Sequence, residues 1–201
     1  MSSIVTNRRR LLQGLGAVLG TAAASQLLGE QAIKSAFCYT KNVNSYKIDG
    51  RVFTKNQMII LHSIVGQIIP TTDSVGATDV DCHGFIDHQL ANVHTAVEQK
   101  NAVSLVNKMN EMSVKRFQLE FYLCNDQQQL ALLTDAEQAR NGFNQVDRAN
   151  LKFIKNLTVF GFCTSEEGAL KFLKYLPVPG GYQGSVPYEQ IGRAWSSKAY
   201  Y

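Results

Sequence analysis

The sequence predicts an all-α protein: a compact helical bundle followed by an extended, aromatic, Gly/Pro-rich C-terminal tail. Three observations carry that class. Thr54 with Gln57, Thr134 with Glu137, and Thr164 with Glu167 each form a capping box, the pairing that satisfies free backbone amides at a helix start. Pro70 and Pro177 each stop a run of helical spacing. No stretch sustains the alternation of a half-buried strand.

The first element is a targeting peptide over residues 1–24. Arg8, Arg9 and Arg10 precede a mildly apolar run from Leu11 to Leu28, and Ala22 and Ala24 stand in the A-x-A arrangement that a signal peptidase reads. Asn7-Arg8-Arg9-Arg10-Leu11-Leu12-Gln13 resembles the twin-arginine export pattern, with Arg8, Arg9, Leu11 and Leu12 as its signal residues. Gly14, Gly16 and Gly20 dilute the run below what a membrane span needs. A plain secretory peptide or an uncleaved anchor is the other reading of these residues. The glycines imitate a dinucleotide turn, but no strand precedes them and the third comes one place late. Phe37 is too bulky for lipid attachment at Cys38.

Residues 25–53 read as a polar tether, interrupted by Asn42, Asn44 and Gly50. The helical domain is expected over 54–176. Its first helix follows Thr54 and places Met58, Leu61, Val65 and Ile68 on one stripe before Pro70. Thr71 to Asp81 is turn chemistry, rich in Asp, Thr and Gly. A second helix is expected over 82–100 (Phe85, Ile86, Leu90, Val93, Val97) and a third over 102–124 (Leu105, Val106, Met109, Met112, Phe117, Phe121). Thr134 opens a segment with Phe143, Val146, Phe153, Ile154 and Leu157, which Gly142 kinks or splits. Thr164 opens the last helix, through Leu170, Phe172, Leu173 and Leu176 to Pro177. The tail, 177–201, has too much Pro and Gly for continuous helix, yet Tyr182, Tyr188, Trp195, Tyr200 and Tyr201 make it too aromatic for a disordered segment.

Composition excludes some functions. The formal charge of +4 owes three arginines to residues 1–24, which hold no acid, so the remainder has 17 basic and 16 acidic residues. That balance does not make a nucleic-acid binder. Cys38, Cys82, Cys124 and Cys163 allow up to two disulfides in an oxidising compartment, with three possible connectivities, or buried free thiols. Their spacing excludes C-x-x-C redox and C-x-x-C-H haem motifs.

The densest polar constellation is Asp79, Asp81, Cys82, His83, Asp87, His88 and His94, all metal-ligand types. The histidines stand five and six residues apart, whereas ligands on one helical face stand three or four apart. Helix-start carboxylates and surface histidines explain the cluster better than a metal. His62, among apolar neighbours, reads as a core or edge residue. There is no G-x-S-x-G elbow, and Glu166 with Glu167 fits a helix start better than a general-acid pair. Nothing composes an active site. The aromatic tail either presents an interface or wraps its own bundle.

Leu157 to Ser196, with its Gly-aromatic, Thr-Ser-Glu, Gly-Ala and Tyr-x-x-x-Pro-Gly-x-Tyr-x-Gly order before Trp195, resembles the C-terminal block of the gluconate 2-dehydrogenase subunit 3 family. Ile64 to Val80, IVGQIIPTTDSVGATDV, is similar to that family's N-terminal helix, its Ile-Pro stop and the Gly-Ala turn. The Cys and His residues between Asp81 and His94 depart from the pattern. The resemblance implies a non-catalytic small periplasmic subunit working with an FAD-containing glucose-methanol-choline type oxidoreductase subunit and a multihaem cytochrome c subunit. FAD and haem c would lie on those partners, with no cofactor in this chain. The twin-arginine translocase moves folded cargo, so the signal on this chain would serve the flavoprotein as well. Partner contact is expected at Tyr175, Tyr182, Tyr188 and Trp195. The rival is a stand-alone periplasmic metal-dependent enzyme, or a binding module, using the cluster from Asp81 to His94.

Overall fold

The computed structural model describes residues 39–42 and 44–172, with isolated positions at 187, 189 and 192. The chain divides into a unit of 1–40 with 201, of which Tyr39 and Thr40 are described, and a unit of 41–200 that holds every element below. The expected export signal (Arg8, Arg9, Leu11, Leu12), Cys38, the end of the last helix with Tyr175, and the tail aromatics Tyr182, Tyr188 and Trp195 lie outside the described residues. The described residues are helical and contain no strand. The all-α expectation holds.

Helix α1, Lys55–Ile68, starts where the sequence placed it. Thr54 accepts from the Gln57 amide and Gln57 returns the bond to the Thr54 amide at 2.9 Å. Met58, Ile60, Leu61, Ile64 and Val65 are buried, each such side chain contributing roughly 1.5–3 kcal/mol. This helix packs on all four others and forms the centre of the core. Pro70 ends it as expected, with Ile69 before it out of helical geometry. The following turn is rigid: Asp79 accepts from Thr71 Oγ1 and the Gly76 amide, both at 2.7 Å, and buries Ala77.

Helix α2 is Cys82–Asn92 and helix α3 is Ala96–Phe117, so the expected helix over 82–100 breaks in the middle. The cause is a capping box at Thr95 and Glu98 that starts α3 early. Val93 and Val97, expected on a core stripe, are consequently exposed. Helix α3 ends at Gln118, whose φ of 56° is left-handed, rather than at Cys124. Phe121 still reaches the core, from a 3-10 turn, Phe121–Leu123, whose first amide bonds Asn110 Oδ1 at 2.9 Å.

Two further starts move. Helix α4, Asp126–Glu137, is capped by Asn125 and Gln128, while Thr134 lies in its last turn and donates back to the Leu130 carbonyl at 2.8 Å. Helix α5, Gln145–Thr164, is capped by Asn144 and Asp147. The turn before it contains Gly142 at φ 97°, a conformation that suits glycine, and there the segment splits. Val146, expected as apolar core, is exposed. At the C-terminal end Ser165, not Thr164, serves the next turn by accepting from the Gly168 amide at 3.0 Å. Thr164 donates to Phe160 O within α5, and Glu167 pairs with Lys41 at 2.9 Å. Beyond it lies a single π-helical turn, Gly168–Phe172.

Asp135 on α4 clamps the far side of the bundle between Arg116 at 2.9 Å and Arg140 at 2.7 Å. Burial works to raise its pKa, but the bonds from Arg140, Asn141 and Arg116 outweigh burial and hold it below the usual range. Among the described residues no helix is long and apolar enough to cross a membrane.

Candidate functional site

The part of the polar tether that is described forms a strap laid across α1 and α2. Two buried carboxylates hold it. Asp87, in the middle of α2, accepts from the amides of Arg51, Val52 and Phe53 at 2.7, 2.9 and 3.1 Å. Gly50 makes the approach possible, since a Cβ there would lie 2.4 Å from Asp87 Oδ1. Phe53 is thereby set into the core.

Asp81 holds the earlier part of the strap. It precedes α2 with φ 60°, ψ 40°, a left-handed conformation that Asp tolerates better than most residues, and its side chain does not cap the helix. Instead Oδ2 accepts from the Asn42 amide at 2.8 Å and Oδ1 accepts from the Ser45 hydroxyl. His83 Nε2 lies 3.1 Å from the same Oδ1, within ion-pair range but without hydrogen-bond geometry. His83 stacks edge-on against His62 of α1, centroids 4.8 Å apart, and Tyr46 of the strap covers both rings.

Burial pushes the His83 pKa down to about 4; Asp81 pulls it up and His62 pushes it further down. Burial wins because both oxygens of Asp81 already serve the strap. His62 is lowered too, by burial first, with Asp81 and Asp79 pulling the other way. Asp79 is lowered by its bonds from Thr71 and Gly76. Both histidines are therefore neutral near pH 7.

The residues of the rival, metal-binding reading are dispersed. His94 lies against Phe153 with ring centroids 5.1 Å apart, and its Nδ1 is 3.5 Å from Glu98. His88 is half-buried along α2. The Cys82 thiol faces Thr158 O at 3.7 Å and is pushed up to about 12 by burial, with Asp81 and Cys163 adding to the effect. Such a thiol is an inert core group. Among the described residues, no three His, Cys, Asp or Glu side chains come together as a metal would require, and Cys82, Cys124 and Cys163 are free thiols.

Ser45, Asp81 and His83 invite comparison with a catalytic triad, but their order is wrong. The hydroxyl bonds the carboxylate, whereas nucleophile activation needs it on an imidazole nitrogen. Sequence reasoning missed this cluster because Ser45 and Tyr46 sat in the stretch taken for a tether.

A second surface lies across α2 and α5. Phe85 stacks on Phe160 with centroids 5.9 Å apart, and Phe85 lies over Gly161, where a Cβ would meet its ring at 2.6 Å. One end of the same helix pair carries the His94–Phe153 contact. Phe160 is 50% exposed and Val159 49%, an apolar surface of the kind that protein interfaces use. By contrast, the open groove between the strap and α3 is lined mainly by polar groups, among them Arg51, Gln99, Lys100, Ser104 and Lys108.

Fold and site together define, over the described residues, an all-helical unit in which Asp81 and Asp87 hold the chain's own backbone and Phe160 faces outward. A model of the protein family described as Gluconate 2-dehydrogenase subunit 3 matches residues 55–180. The chain belongs to that family, as its N- and C-terminal motifs led us to expect. No curated protein and no solved structure matches it.

Proposed function

We propose that this chain is the non-catalytic small subunit of a periplasmic, FAD-dependent sugar acid or polyol dehydrogenase complex. Its task in this reading is to associate with the flavoprotein subunit in the cytoplasm and carry it through the twin-arginine translocase. The family match over residues 55–180 carries the proposal, because the family is named for one subunit of a dehydrogenase. Two features support it. Asp81, Asp87 and Cys82 are each engaged in packing the bundle. The Phe85–Phe160 surface offers aromatic contact area at small entropic cost, and Tyr175 with the tail residues Tyr182, Tyr188 and Trp195 would extend it in this reading. FAD and haem c belong to the partner subunits in this scheme. Association before export requires a large, well-packed interface.

The test is co-expression with a flavoprotein subunit of the glucose-methanol-choline type and replacement of the signal, Arg8→Lys with Arg9→Lys. Both chains should then be found in the cytoplasm, and the wild-type chain should pull down a flavin-bearing partner. A flavoprotein that still reaches the periplasm beside the mutated signal refutes the carrier role. Turnover of a sugar acid by the isolated chain refutes the subunit reading itself.

A further inference from the structure

The strap is fastened at two points of unlike chemistry. At 51–53 the Asp87 carboxylate meets three backbone amides, groups that do not titrate. At Asn42 and Ser45 the Asp81 carboxylate meets an amide and a hydroxyl, and the His83 ring lies against it beneath Tyr46 and beside His62. We propose that Asp81, His83 and His62 form an acid-sensitive latch, which holds Asn42 and residues 44–47 on α1 and α2 in neutral solution and releases them when the imidazoles take up protons, while the Asp87 anchor stays closed.

The geometry gives the direction. Neither ring nitrogen of His83 has a hydrogen-bond partner, and the side chain is 2% exposed. Protonation adds a second N–H donor to a ring that has no acceptor waiting in hydrogen-bond geometry, so the charged form is costly while the strap is down. Lifting Tyr46 opens the rings to water and removes that cost.

The charged and titratable groups around the pair come from every side. Asp81 at the start of α2 and Asp79 in the preceding turn favour the imidazolium. The two histidines repel one another once charged. On the strap, Lys47 lies 5.2 Å from the Tyr46 ring centre as a further cation, and Lys41 is occupied by Glu167. From α5, Cys163 bears on Cys82, and both thiols are raised and uncharged.

For a histidine whose pKa is lowered in the docked state, the stabilisation is complete above its ordinary 6.5. It is lost as pH falls from there towards about 4. At pH 5, His83 alone shifts the docking equilibrium by up to about 30-fold, and His62 adds to the same sign.

Amide hydrogen exchange on the full chain between pH 7.5 and 4.5, corrected for intrinsic rates, reads the latch directly. Asn42, Ser45, Lys47 and Ile48 should lose protection by about ten-fold or more by pH 5, while Arg51, Val52 and Phe53 keep theirs. The double variant His62→Gln, His83→Gln should lose that response. Should His83→Gln fail to fold, His62→Gln alone should give a shallower release. Loss of protection at both anchors together, or an unchanged response in the variants, overturns the latch. So does a His83 imidazole that titrates by NMR at or above 6.5 with the strap still protected.

Discussion

Asp81 and Asp87 lie within two turns of each other, at 1% and 5% exposure, and both reach back to the same strap. They do different work. Asp87 sits inside a helix in ordinary geometry and collects three amides from one tight turn. Asp81 sits in left-handed backbone ahead of the helix and shares its oxygens among an amide, a hydroxyl and an imidazole edge. Burial alone thus does not tell what a carboxylate is for. The partners decide: fixed backbone donors make a permanent joint, and titratable neighbours make a conditional one.

The contrast breaks most severely at Asp87. Asp87→Ala leaves three buried or half-buried amides without their acceptor, each bond to a charged group being worth about 1.5–3 kcal/mol. The cost should be about 4 kcal/mol in urea unfolding at pH 7, once partial rehydration of the turn is allowed for. A loss under about 1 kcal/mol would show that the strap does not need this anchor.

A milder and more selective effect is expected at the other joint. Asp81→Asn keeps one carbonyl acceptor and the left-handed backbone that Asn tolerates, so stability should fall by about 1–2 kcal/mol. Exchange should accelerate at Asn42 and Ser45 and stay unchanged at Arg51, Val52 and Phe53. Equal acceleration at both places would mean that the strap is one cooperative unit and the distinction between the joints is empty.

Most of the fold was legible, and the errors share a cause. The first helix was readable because Thr54, Gln57, the apolar stripe and Pro70 all agree. Elsewhere several residues competed for one start. Thr134 and Thr164 match the box pattern but lie inside helices, and Asn125, Asn144 and Ser165 do the work nearby. Asn accepts from the same amides as Thr, so a pattern that favours the hydroxyl misplaces the boundary. Val93 and Val97 kept helical spacing across the break at Thr95, which hid it. The cluster around His83 was unreadable for a different reason. Its members come from the strap, α1 and α2, and only tertiary packing brings Ser45 within reach of Asp81.

The smallest expected effect on stability concerns the opposite side of α2, where the side chains face out rather than onto the strap. Phe160 is half exposed and rests on Phe85, which Gly161 allows to lie flat against α5. Phe160→Ala removes a ring that is already in water on one face, so the isolated chain should lose about 1 kcal/mol or less. An aromatic at the centre of a protein interface costs about 2 kcal/mol or more when truncated, which is about 30-fold in affinity. Co-purification with the flavoprotein should therefore fall steeply in Phe160→Ala while its urea midpoint hardly moves, whereas Asp81→Asn should do the reverse. Unchanged co-purification would remove the α2–α5 surface from the interface and leave the contact to other parts of the chain.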